Sequence, residues 1–163
     1  MKYFILLLAG AAVFACNKEQ VLLDRLSGDY TLTQIDLRQM VEPFRDTTII
    51  PTDYTVSFSD CDRDDNAAGG QCTATLTKPD GQVLFLHYRL TDYRSNEDQL
   101  SFMEADGNTV SKEQTNDYRM LLGGYTYQLS GDALTLTTIG DIGPRPTFDG
   151  MDYETVRISA LRQ

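Results

Sequence analysis

Apolar and polar residues alternate along most of this chain with the period of two that a β-strand imposes. Tyr54, Val56 and Phe58 alternate with Thr55 and Ser57, and Leu84, Leu86 and Tyr88 follow the same rule. So do Tyr125, Tyr127 and Leu129, then Leu134, Leu136 and Thr138; near the end of the chain Tyr153, Val156, Ile158 and Ala160 are apolar. The pattern predicts further strands at Tyr30–Thr33 and Asp98–Glu104, and a last one over Asp152–Leu161. Lys18–Leu26 reads instead as a short helical turn with Val21, Leu22 and Leu26 on its apolar face. The polar stretch 106–120 has no clear period, and 140–152, with Pro144, Pro146 and Gly150, reads as a loop.

The turns fix how these strands pair. Pro79, Asp80 and Gly81 between two alternating runs suit a type I turn with a G1 bulge. Pairing Lys78 with Gln82 then sets Leu76 opposite Leu84 and Ala74 opposite Leu86, which puts the apolar residues on one face. A two-residue type II′ turn at Gly131-Asp132 likewise sets Leu129 opposite Leu134 and Tyr127 opposite Leu136. An earlier hairpin is less consistent. Placing Cys61 opposite Cys72 sets Ser57 opposite Leu76, one residue out of step with the Tyr54, Val56, Phe58 alternation. A β-bulge near Ser59–Cys61 or a looser disulfide would reconcile the two. About eight strands joined by tight turns predict an all-β fold, an antiparallel up-and-down β-barrel. Its interior set would be Leu32, Tyr54, Val56, Phe58, Leu76, Leu84, Leu86, Tyr88, Phe102, Tyr127, Leu129, Leu136 and Ile158.

The first residues follow a different rule. Lys2 precedes an uncharged apolar run from Tyr3 to Phe14, too short to span a bilayer comfortably. It ends in Val13-Phe14-Ala15-Cys16, which resembles the lipobox of bacterial lipoproteins, with the bulky Phe14 as a departure. The resemblance implies a signal peptide over 1–15, cleavage before Cys16, and a thioether-linked lipid on the Cys16 sulfur. Residues 16–26 would be the lipidated N-terminus and helical turn, and 27–163 the barrel domain. Asn17, rather than Asp, implies sorting to the outer membrane. Two or three acyl chains would hold the protein there and replace a transmembrane helix.

Composition narrows the function classes. The 163-residue chain has a net charge of −10, and loss of Lys2 with the signal makes it one unit more negative. That balance argues against nucleic acid. Cys61 and Cys72 flank a segment rich in Asp, Asn, Ala and Gly. In an oxidising compartment they are expected to form a disulfide closing that loop. A metal or redox role is disfavoured because no His is near and the spacing is not C-x-x-C.

Leu26-Ser27-Gly28-Asp29-Tyr30-Thr31-Leu32 resembles the opening of lipocalin-like domains, in which a Gly and an aromatic two residues later begin the first strand. Tyr30 stands where classical lipocalins have Trp. The family pattern also implies an Arg near the last strand covering that ring, and Arg157 or Arg162 could match. The resemblance implies a small apolar ligand in the barrel, lined by Tyr30, Tyr54, Phe58, Tyr88, Phe102 and Tyr127. The alternative is a core filled by those same side chains, with the domain docking on another envelope protein.

The sequence carries no catalytic signature. There is one histidine, His87, and its phase turns it outward. No nucleophile elbow, zinc-protease helix or phosphate loop occurs, so the protein is expected to be non-enzymatic and to need no cofactor. Asp60, Asp62 and Asp64 form a weak calcium candidate. Asp65 replaces the Gly that an EF-hand has at position six, and Gln71 replaces its final Glu. A solvated acidic loop is the simpler reading.

Overall fold

A computed structural model describes residues 18–39, 45–67, 72–92, 98–105, 121–139, 147–148 and 151–163. Helix α1 covers 18–26 and leads directly into β1 (Gly28–Gln39). Then follow β2 (Arg45–Ile49), β3 (Thr55–Phe58), the short helix α2 (Arg63–Ala67) and β4 (Cys72–Thr77). The rest are β5 (Val83–Asp92), β6 (Asp98–Glu104), β7 (Gly123–Ser130), β8 (Ala133–Thr138), two short rungs β9 (Thr147–Phe148) and β10 (Met151–Asp152), and β11 (Thr155–Arg162).

Each long strand pairs antiparallel with its sequence neighbour, and β11 returns to pair with β1. The meander closes into an eight-strand antiparallel barrel of lipocalin-like architecture, with β2 as one extra strand. β2 and β3 are successive segments along the same edge of β1: Ile35 faces Ile49, and Tyr30 faces Val56. Residues 50–54 between them form no strand; the sequence alternation missed β2 because Arg45–Ile49 has no apolar alternation.

Both clean hairpins have the expected register. Lys78 N donates to Gln82 O at 2.8 Å, Leu76 faces Leu84, and Ala74 faces Leu86. Leu129 faces Leu134 and Tyr127 faces Leu136, around a turn whose Gly131 has φ 61. The disputed hairpin follows the apolar alternation rather than the cysteines. Phe58 faces Ala74 and Val56 faces Leu76, so Cys61 lies one residue beyond the ladder position facing Cys72. Burial of Val56 and Phe58 outweighs the direct Cys–Cys pairing, and the disulfide forms with its Cα atoms 5.4 Å apart.

The core differs in places from the expected one. Eleven of the residues assigned inward are buried; Tyr54 and Leu129 are only partly so. In α1 the buried pair is Leu23 and Leu26, with Leu22 packed beside them, whereas Val21 is 50% exposed. The helix meets the barrel along an i, i+3 stripe that Val21 does not join. In β1 the inward residues shift from Tyr30 and Leu32 to Ile35 and Leu37. Thr33 and Gln34 together face Ser159 in a β-bulge, pinned by a 3.1 Å bond from Thr33 Oγ1 to Ser159 O. The loop expected between the cysteines contains α2, and 147–152 holds a two-rung ladder. The signal segment, Cys16 and 106–120 lie outside the described residues.

The two ends of the barrel are unlike. α1, the disulfide, α2 and the Gly131-Asp132 turn share one end, called the floor here. The Lys78–Gln82 turn lies at the other, where the chain also leaves at Ala105 and Ile139.

Candidate functional site

Alternation brings the aromatic candidates into the interior, and barrel closure presses them together. Phe58 is the hub. Its ring meets Tyr30 edge-on at 5.8 Å and Tyr88 edge-on at 5.3 Å, and lies tilted 5.9 Å from Phe102. Phe102 in turn meets Tyr125 at 5.9 Å. Edge-to-face pairs of this kind contribute about 0.5–1.5 kcal/mol each beyond area burial. Four of the six expected ligand residues, Tyr30, Phe58, Tyr88 and Phe102, are therefore neighbours that fill space against one another. Tyr127 is buried beside Leu136 higher up the ladder, and Tyr54 is half-buried. Burial pushes the Tyr125 hydroxyl's pKa up. It also pushes Tyr88 up to about 12, with the Asp60 carboxylate adding to the effect. Tyr88 Oη donates to Ser59 O at 3.1 Å.

Arg162 closes the floor. Its Nη2 donates to Tyr30 Oη at 2.6 Å and to Arg25 O, and its Cζ lies 5.1 Å from the Tyr30 ring centroid. Of the two arginines implied by the resemblance, Arg162 covers the ring. Arg157 faces out, opposite Thr137 and Asp36. Parity alone could have chosen between them, because Arg162 shares the phase of Ile158 and Ala160.

The disulfide loop forms the other side of the floor. Asp62 Oδ1 accepts from Asp65 N at 2.9 Å and so caps α2. Asn66, 2% exposed, occupies the position of a missing strand. Its Oδ1 accepts from Leu90 N at 2.7 Å, and its Nδ2 donates to Leu90 O at 2.8 Å and to Glu19 Oε1 at 2.6 Å. The β4–β5 register would set residue 70 opposite Leu90, but β4 begins at Cys72. Nothing in the sequence pattern signals this role for Asn66. Of the calcium candidates, Asp60 accepts from Ser27 Oγ, Asp62 caps α2, and Asp64 sits 3.6 Å from Arg63. They serve three separate contacts, and no group of three metal-ligating side chains occurs among the described residues. His87 faces outward on β5 between Thr73 and Met103.

A concavity lies on the outer wall. A groove of about 390 Å³ runs over β2, β1, β11 and β8, where Asp36, Arg38, Asp46, Thr48 and Arg157 project. Asp36 is held below the usual carboxylate range chiefly by the 2.8 Å bond from Thr48 Oγ1, then by Gln34 Nε2, with help from Arg157 and Arg38. The sequence offered no signal for this site, since β2 was not foreseen. Charges of both signs stand around the groove, Asp36 and Asp46 with Arg38 and Arg157. No protein-family model, curated protein or solved structure matches this chain.

Proposed function

We propose that the protein is a non-enzymatic, lipid-anchored lipoprotein of the cell envelope whose filled, lipocalin-like barrel presents its outer wall to another envelope protein. The observation that supports this over ligand uptake is the Phe58-centred aromatic cluster. The side chains that would line a pocket are spent on each other. The charge-flanked groove along β2, β1, β11 and β8 is the docking face in this reading. The lipobox-like Val13-Phe14-Ala15-Cys16 supports the anchor, and the acidic surface fits a domain held in solution above a membrane.

Titration with an apolar fluorophore such as N-phenyl-1-naphthylamine tests the filled interior. The wild-type protein should show no saturable enhancement. Phe58→Ala removes the hub and should create a site that takes up the probe, as dry engineered cavities do. Saturable micromolar binding to wild type, competed by fatty acids, would return the barrel to ligand carriage.

A further inference from the structure

Helix α1 is the first described element after the proposed anchor, and it is not a loose linker. Its first turn is fixed to the disulfide loop: Gln20 Nε2 donates to Cys61 O at 3.1 Å, Gln20 Oε1 accepts from Arg63 N at 3.0 Å, and Glu19 accepts from Asn66. Its last turn is fixed to β11 through Arg25 O and Arg162. Between these ends Leu23 and Leu26 are fully buried. Nine residues of helix reach about 13 Å, enough to lie across the floor from one wall to the other. The helix therefore moves with the barrel as one body.

Only two peptide steps separate Lys18 from Cys16, a reach of at most about 7 Å. β5 alone has ten residues, and with the usual strand tilt of about 40° the barrel is roughly 25 Å from end to end. From these lengths we infer that the floor is a membrane-apposed surface. The closed end sits within about a headgroup's thickness of the bilayer, and the end bearing the Lys78–Gln82 turn points away. The inference rests on the lipid anchor proposed above. The floor's charge selects the kind of lipid. Asp24, Asp29, Asp62, Asp64 and Asp132 are exposed there and outnumber the cations of that end, Lys18, Arg25, Arg63 and Arg162, of which Arg63 lies beside Asp64 and Arg162 is engaged with Tyr30. Such a face fits zwitterionic headgroups and is repelled by anionic ones.

The test uses the full-length chain expressed in a bacterial host, extracted in detergent and reconstituted into phosphatidylcholine vesicles containing a headgroup-nitroxide lipid. Intact mass first establishes whether Cys16 carries lipid. A fluorophore is then placed on one added cysteine, Asp132→Cys at the floor or Asp80→Cys at the far turn. The native Cys61 and Cys72 are joined and do not compete. An axial separation of about 25 Å between the two turns should give at least about threefold stronger quenching at position 132 than at position 80. Equal quenching, or stronger quenching at position 80, on lipidated protein overturns the orientation and leaves the anchor standing. Protein without lipid on Cys16 overturns both. Should either substitution disturb folding, Asp64→Cys and Pro79→Cys replace the pair at the same two ends.

Discussion

Arg162 and Tyr30 lie 132 residues apart, on the last and first strands of the barrel, and their side chains meet in a 2.6 Å hydrogen bond with the guanidinium over the ring. The contact ties the closing seam of the sheet to α1 through Arg25 O. Arg162→Ala removes two charge-assisted hydrogen bonds and a cation–π contact, and should lower stability by about 2–3 kcal/mol. Arg162→Lys keeps the charge but loses the planar fork and should recover less than half of that. Denaturant unfolding followed by circular dichroism distinguishes the three proteins, and a neutral Arg162→Ala would mean that the seam holds without this contact.

The interior prediction contrasts neighbours on β8. Leu136 is buried between Tyr127 and Ile158, whereas Thr135 projects from the opposite face. Leu136→Ala should cost about 2–5 kcal/mol, and Thr135→Ala less than about 0.5 kcal/mol. Equal losses in thermal unfolding would show that the alternation does not separate inside from outside.

Asn66 is expected to matter more than its loop position suggests. Asn66→Ala leaves the N–H and C=O of Leu90 without their partner at a buried site. Each unmet group costs about 1–3 kcal/mol. Hydrogen exchange at the Leu90 amide should accelerate together with the loss of stability. Fast Leu90 exchange in the wild type would show that Asn66 does not protect it.

The buried tyrosines predict an alkaline limit. Tyr88 ionises near 12 in the folded protein, and Tyr125 is also raised, while an unfolded tyrosine ionises near 10. Between those values the folded state holds protons that the unfolded state has released, so stability falls as pH rises above about 10. Below about 10 both states are protonated and this contribution is fully present. Tyrosinate absorbance at 295 nm should therefore show a fraction of the nine tyrosines ionising only upon unfolding. Complete, reversible ionisation in the native protein near 10 would contradict their burial.

The anchor predicts a simple fractionation result. Cys16→Ser should leave unprocessed or soluble protein, because the substitution removes the only sulfur that the lipobox-like motif offers. A variant of mature size that stays with membranes after a high-salt wash would rule out lipidation at that residue.

Hairpins built on local turn chemistry were legible because Pro79, Gly81 and Gly131 set their register within a few residues. β2 was not, because Arg45–Ile49 has no apolar alternation and pairs only through β1. Ile35 and Leu37 escaped for a related reason: the bulge at Thr33 reverses the phase of β1 partway along. The aromatic residues could be named from the sequence. Their mutual stacking could not, since it depends on closure of a ring whose first and last strands are distant in the chain. Asn66 was legible only as one more polar residue in a polar loop, because its partner Leu90 lies on another strand.

The same bulge makes β1 tolerant of an editing error that the other strands would not survive. Removing one residue from a strand with one buried face turns every later side chain inside out. At Thr33 a deletion would instead leave Leu32 and the former Ile35 two positions apart, both still facing inward along the β11 edge. Homologues or designed variants lacking this residue would keep the same interior, so length variation in the first strand need not signal a different protein.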